Sequence, residues 1–205
     1  MQTVVSVLLF LLVLVPSVIL HEVAHGAVAL RFGDDTAKRA GRLTLNPVRH
    51  IDPFGTLILP AILIFTTGAA FGYAKPVPVN PSRMRRPRDH GLLTSLAGPA
   101  TNIVLAVIAA VGLRALLPAG GNDLALELLF RFGIINVILA AFNLLPIPPL
   151  DGSAIIERVL PRRFLPQWRT LRQWSMPVLL LIVLLLPGAL GGVFGYARDL
   201  WVQLL

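Results

Sequence analysis

Residues 3–32 read TVVSVLLFLLVLVPSVILHEVAHGAVALRF. No charged residue occurs before Glu22, and the helical pattern runs on through Arg31 to Gly33, a fitting C-cap. A single helix over 3–32 would be about 45 Å long at 1.5 Å per residue. That exceeds the roughly 30 Å hydrocarbon core of a bilayer, so its last turns should emerge among the headgroups. The stretch resembles a signal-peptide core, but no Lys or Arg precedes it and no clear small-residue cleavage site follows. An uncleaved membrane helix is the better reading.

The rest of the chain agrees. Of 205 residues, 56% are hydrophobic and 14% charged, too few charges to solvate the surface of a soluble domain. Apart from Glu22, the windows 1–30, 54–74, 91–113, 132–150 and 175–197 contain no Asp, Glu, Lys or Arg. Each is about as long as a membrane-spanning helix. The net charge of +8 belongs to basic loops between membrane segments rather than to a nucleic-acid surface, because the cations are scattered along the loops. The expected fold is an all-α polytopic membrane protein with four to six apolar helices. It forms a single domain over 1–205, with no room for a separate soluble one.

Between the apolar windows the chain is polar and rich in breakers. The alternation of Arg42, Thr44 and Asn46 with Leu43 and Leu45 predicts a short strand at 42–46. A second extended segment is expected at 75–80, where prolines exclude helix. Gly55, Pro60, Gly68 and Gly72 break the window 54–74. Pro146, Pro148 and Pro149 end the helix expected at 124–145. A basic linker at 157–174 leads to a last apolar segment interrupted at Pro187-Gly188.

Chemistry concentrates in His21-Glu22-Val23-Ala24-His25. On a helix, positions i and i+4 share a face, so two imidazoles can grip one metal ion with Glu22 beside them. The chain has no cysteine, so any metal must be held by His, Asp or Glu. Zinc suits imidazole and leaves an open position for water. A bound metal lowers that water's pKa, and a carboxylate at Glu22 can accept its proton. Ionisable groups beside an apolar run are costly and mark function. Among the other carboxylates Asp151 stands out, following the uncharged run 132–150 in a proline-rich turn closed by Gly152. It is the best third ligand; the competing role is an N-cap for a helix at 152–160. His50, near Asp52, reads as a solvated loop residue rather than a partner of a metal ligand. A metal-ion transporter and a non-catalytic scaffold are the alternative functions. Transporters usually show internal repeats, and none is visible here.

His21-Glu22-Val23-Ala24-His25 taken with Asn143-Leu144-Leu145-Pro146-Ile147-Pro148-Pro149-Leu150-Asp151-Gly152 resembles the site-2 protease family of intramembrane zinc metalloproteases, in its compact type lacking a PDZ domain. Every fixed position of that family's N-x-x-P-x-P-x-L-D-G pattern is present. Ala97-Gly98-Pro99-Ala100-Thr101-Asn102 is similar to the small-residue helix start lying between the two motifs. The resemblance implies Zn2+ held by His21, His25 and Asp151, with Glu22 as general base. It implies hydrolysis of peptide bonds in transmembrane protein substrates within the bilayer, with Asn143 and Asn102 binding substrate.

Topology follows from parity. His21 and Asp151 both lie toward the C-terminal ends of their helices, so the first helix and 124–145 must run the same way to share one metal. Segment 54–74 is then expected to enter the membrane and return. That puts nearly all loop Arg and Lys on one side, the cytoplasmic one by the positive-inside rule. A multi-pass cell-membrane protein with its site toward the cytoplasm is the result.

Overall fold

Val13, Ser17, His21, His25 and Ala29 recur every four residues along the first apolar run, and all five are buried. In the computed structural model, which describes residues 2–59, 73–118, 120–185, 188 and 191–205, this stripe is one face of helix α1 (Gln2–Arg31). After the short helix α2 (Thr36–Arg39), the next long helix is α3 (Pro87–Leu116), begun by a proline in its first turn. Its buried residues Thr94, Gly98, Asn102, Ala106, Ala109 and Leu113 form a matching stripe. Small and polar residues at this spacing let two helices approach closely where apolar lipid gives no hydrophobic drive. Helix α4 (Asp123–Asn143) buries Gly133, Asn136, Val137 and Ala140 against them. Leu8, Leu12, Val107 and Val111 point away from the bundle and are exposed, as lipid-facing side chains should be.

The contacts fix the helix directions. His25 meets Thr94 while His21 meets Asn102, so α1 and α3 are antiparallel. Asn102 meets Asn136 while Gly112 lies against Leu129, so α3 and α4 are antiparallel too. Helices α1 and α4 therefore run the same way, and whatever lies between α1 and α3 returns to the side it left. The Arg85 amide donates to the Phe32 carbonyl at 3.2 Å, joining the two ends of that connection.

Beyond α4 come α5 (Ser153–Val159), α6 (Leu165–Gln173), α7 (Ser175–Leu185) and α8 (Gly191–Gln203). The basic linker expected at 157–174 is thus largely helical. The break expected at Pro187-Gly188 lies between α7 and α8, with Pro187 itself outside the described residues. Trp201 of α8, fully buried, packs with Ala106, Ala109, Leu113, Val137 and Ala197. Its ring covers Gly133 so closely that a Cβ there would overlap it.

By length and composition, three of the described helices can cross a membrane: Val5–Arg31, Pro87–Leu116 and Asp123–Asn143; these are the part of the expected four to six apolar helices that the described residues carry at spanning length. Most of segment 54–74 lies outside the described residues; its start, Pro53–Ile58, is a wide helical turn in which the Gly55 amide donates to the Asp52 side chain.

The two expected strands are corrected. Neither 42–46 nor 75–80 joins a ladder, and the described residues contain no strand. Side chains occupy the groups a ladder would use. The Arg42 guanidinium donates to the carbonyls of Lys75 and Pro76 at 2.8 and 3.3 Å. Pro76 and Pro78 have no amide to offer, and the amides of Val77 and Asn80 donate to Glu22 and Asp34. Segment 75–80 is a strap pinned along α1 by carboxylates.

Asp34 is the anchor of that strap. It is fully buried and accepts from the Asn80 amide at 2.5 Å, the Thr36 amide at 3.0 Å and the Thr36 hydroxyl. Burial opposes its charge, but these hydrogen bonds and the nearby Arg83 outweigh it and hold the carboxyl below its ordinary range. His50 is also pinned, not solvated as the sequence suggested. It is buried, its Nε2 lies 2.9 Å from the Thr44 carbonyl, and its own carbonyl accepts from the Lys75 amide.

Candidate metal centre

One helical turn separates His21 from His25, and both imidazoles face the α1–α3 contact. Their Nε2 atoms are 3.0 Å apart. Asp151 Oδ2 lies 3.1 Å from His21 Nε2 and 3.3 Å from His25 Nε2. Nδ1 of His25 faces the Thr94 carbonyl at 2.7 Å, which can only accept, so the proton of that neutral ring sits on Nδ1. Nδ1 of His21 faces Asn102 Oδ1 at 2.6 Å and carries its proton for the same reason. Both Nε2 atoms are then bare lone pairs, aimed at each other and at a carboxylate oxygen that has no hydrogen-bond donor.

Three electron-rich atoms packed this tightly repel one another unless a cation lies among them. Donors about 2.0–2.1 Å from a tetrahedral zinc would be about 3.3 Å apart, close to the spacings observed. The donor set fits zinc. Among the described residues, His21, His25 and Asp151 are the group that could hold such an ion. Gly98 completes the cradle: a Cβ there would lie 2.5 Å from His21 Cε1 and 2.6 Å from His21 Nε2, and closer still to His25 Nε2.

The turn that delivers Asp151 explains its motif. The Gly152 amide donates to the Asn143 carbonyl at 2.7 Å, folding the segment back over the end of α4. A Cβ at Gly152 would lie 2.6 Å from the Leu145 carbonyl oxygen and nearer still to that of Leu144. Only glycine allows that approach. Asp151 does not cap α5; the residue at the cap position is Gly152, and no side chain bonds there.

Glu22 lies beside the triad, partly exposed to a cavity of 1290 Å³ that His21, His25, Asn143 and Asp151 also line. Its Oε2 accepts from the Val77 amide at 2.7 Å. Asn143 is on the wall of this cavity and donates to the Leu139 carbonyl through Nδ2. Asn102 is placed differently from the substrate-binding position the sequence suggested. It is fully buried behind His21, because its place on α3 turns it toward α1 and α4 and away from the cavity. Asn136 and Ser17, which the sequence reading passed over, continue inward from it. Their signal was available: polar side chains in otherwise apolar windows.

Comparison with known proteins points to the same zinc chemistry. Residues 9–121 and 122–186 match the family described as Peptidase family M50. The chain is 47% identical over 155 residues to "Putative zinc metalloprotease YwhC" of Bacillus subtilis, covering 72% of this chain and 67% of that protein. It is 34% identical over 179 residues to "Putative zinc metalloprotease Rip2" of Mycolicibacterium smegmatis, covering 87% and 66%. A third relative, "Putative zinc metalloprotease MJ0611" of Methanocaldococcus jannaschii, is 31% identical over 74% of this chain and 72% of its own length. The chain thus spans about two thirds of the length of the first two. No solved structure matches it. The chain belongs to peptidase family M50, the site-2 protease family of intramembrane zinc metalloproteases.

Proposed function

We propose that this chain hydrolyses peptide bonds in membrane-spanning proteins, with zinc held by His21, His25 and Asp151 and Glu22 as the general base. The observation that supports this most is the convergence of two bare imidazole nitrogens and an undonated carboxylate oxygen within 3.3 Å, with a second carboxylate beside them. Zinc, when bound, polarises the scissile carbonyl and lowers the pKa of the attacking water. Glu22 is anchored through Oε2 by the Val77 amide, which leaves Oε1 to take the proton of that water and deliver it to the leaving amine. Asn143 meets the substrate backbone from the opposite wall of the cavity. The substrate enters unwound, since a helical peptide bond is shielded by its own hydrogen bonds.

The chain leaves α1 and rejoins α3 on one face, and that arginine-rich face is cytoplasmic. Two contacts support one common face: Arg158 pairs with Asp89 at 2.6 Å, and Arg88 donates to the carbonyls of Glu157, Arg158 and Leu160. These tie the C-terminal end of α5 to the start of α3.

Glu22→Gln is the test. The variant should bind zinc like the wild type and fail to cut a membrane-spanning reporter, a loss of about 10²–10⁴-fold. Unchanged cleavage would rule Glu22 out as the base; loss of zinc would give it a ligand's role instead.

A further inference from the structure

Behind His21 a file of buried polar side chains crosses all three long helices and touches neither the cavity nor the triad's open side. Asn102 Nδ2 donates to Asn136 Oδ1 at 2.7 Å. Asn136 Nδ2 donates to Ser17 Oγ at 2.9 Å and to the Phe132 carbonyl at 2.8 Å. Ser17 Oγ donates to the Val13 carbonyl at 2.7 Å. Asn102, Asn136 and Ser17 have no exposed surface, so none can exchange a protein partner for water.

We propose that Asn136 and Ser17 are positioning residues for the metal ligand His21, keeping its Nε2 bare and aimed at His25 and Asp151 by locking the amide of Asn102 in one orientation. The inference rests on the reading of His21 as a zinc ligand.

The direction of the file is set at its far end. The Val13 and Phe132 carbonyls can only accept. Ser17 gives its one proton to Val13 and must therefore accept from Asn136. Asn136 must present Nδ2 to Phe132, and rotating its amide by half a turn would bring two oxygens together at 2.8 Å. Its Oδ1 is then committed to Asn102 Nδ2, and Asn102 Oδ1 to the Nδ1 proton of His21. An Asn102 amide free to rotate could offer Nδ2 to His21 instead. That would favour the tautomer with its proton on Nε2, where a metal cannot bind. Partners behind a ligand that fix its tautomer are generally worth about 10–100-fold in metal affinity. His25 needs no such file, because the Thr94 carbonyl meets it directly.

Interhelical hydrogen bonds can also serve as simple glue, and the test must separate the two roles. Zinc affinity of the full-length chain in detergent is measured by competition with a chromophoric chelator. The thermal midpoint of the zinc-free protein is measured alongside. Asn136→Leu should weaken zinc binding about 10–100-fold. Ser17→Ala should weaken it less, and Ser17→Thr, which keeps the hydroxyl, should restore wild-type affinity. The double variant Ser17→Ala with Asn136→Leu should bind no more weakly than Asn136→Leu alone, since Ser17 acts through Asn136. Glue predicts the opposite pattern, a lowered zinc-free midpoint with unchanged zinc affinity, and that result overturns the proposal. If Asn136→Leu does not fold, the Ser17→Ala and Ser17→Thr pair decides by the same criterion. His21→Ala is the control. If it binds zinc normally, the metal reading itself fails; if it loses zinc while the Asn136 and Ser17 variants do not, only the positioning role fails.

Discussion

Gly98 sits against both metal-centre imidazoles and has no room there for a side chain. In a helix, alanine is intrinsically better than glycine by about 1 kcal/mol, so Gly98→Ala should stabilise an isolated α3. Here its methyl carbon would sit 2.5–2.6 Å from His21 atoms and push both imidazoles off the metal position. The expected outcome is a protein that folds and binds zinc at least about tenfold more weakly, the lower end of what misplaced ligands cost; chelator competition reads it. Asp34 carries a second prediction. Its folded-state pKa lies below its ordinary value of about 3.9, so the unfolded chain takes the proton more readily. The stability it contributes is complete above that value and is lost as pH falls through the folded pKa. Asp34→Asn should cost about 1–3 kcal/mol at neutral pH, the usual range for stranding buried partners. It should also flatten the fall of the thermal midpoint below about pH 4. His21, Glu22, His25 and Asp151 were legible in the sequence because their spacing and apolar setting speak before any fold is known. Asn102 was visible too, but only the packing of α3 says which way it points.

Motif and element meet in the two segments that flank the site. The proline-rich turn after α4 could be read directly: prolines stop the helix, Gly152 permits the return, and Asp151 is delivered where α1 presents its histidines. The strap at 75–80 could be read only halfway. Its prolines announced extended backbone, but its hydrogen-bond partners are carboxylates far away in sequence, Glu22 and Asp34. No alternation pattern encodes those. The consequence for chemistry is testable at Val77, whose amide anchors Glu22. Val77 precedes Pro78, which already confines it to extended backbone, so Val77→Pro removes the N–H with little new constraint on the chain. Val77→Ala is the control that trims the buried side chain and keeps the amide. The proline variant should retain zinc and lose turnover by about tenfold or more, within the range general-base positioning supplies; the alanine variant should lose much less. Equal losses in the two variants would assign the effect to packing against Gly26 instead.

At the scale of the molecule, parity argued from sequence and helix direction read from contacts reach the same arrangement by separate routes. Two ligands near the C-terminal ends of α1 and α4 require parallel helices, and the His21–Asn102–Asn136 contacts make them parallel. The path of 60–72 was legible only as a hypothesis from its glycines and proline, and those residues lie outside the described set. What the described residues fix is that the chain leaves α1 and rejoins α3 at one face, where Asp34 holds the Asn80 amide and Phe32 holds that of Arg85. Cation placement gives that face its side. Lys38, Arg39, Arg83, Arg85 and Arg86 flank this connection, whereas Arg114 is the basic residue in the last turn of α3 and Arg131 lies on α4. This placement is what supports the proposed orientation, with the strap face cytoplasmic by the positive-inside rule. The chain has no cysteine of its own, so single substitutions at exposed positions report side without background. Lys38→Cys and Ser82→Cys should both react with a membrane-impermeant thiol reagent only in inside-out vesicles. Asp123→Cys, at the start of α4, should react only from the opposite side. Labelling of Lys38→Cys and Ser82→Cys from different sides would require 54–74 to span, and would separate His21 from Asp151 across the membrane.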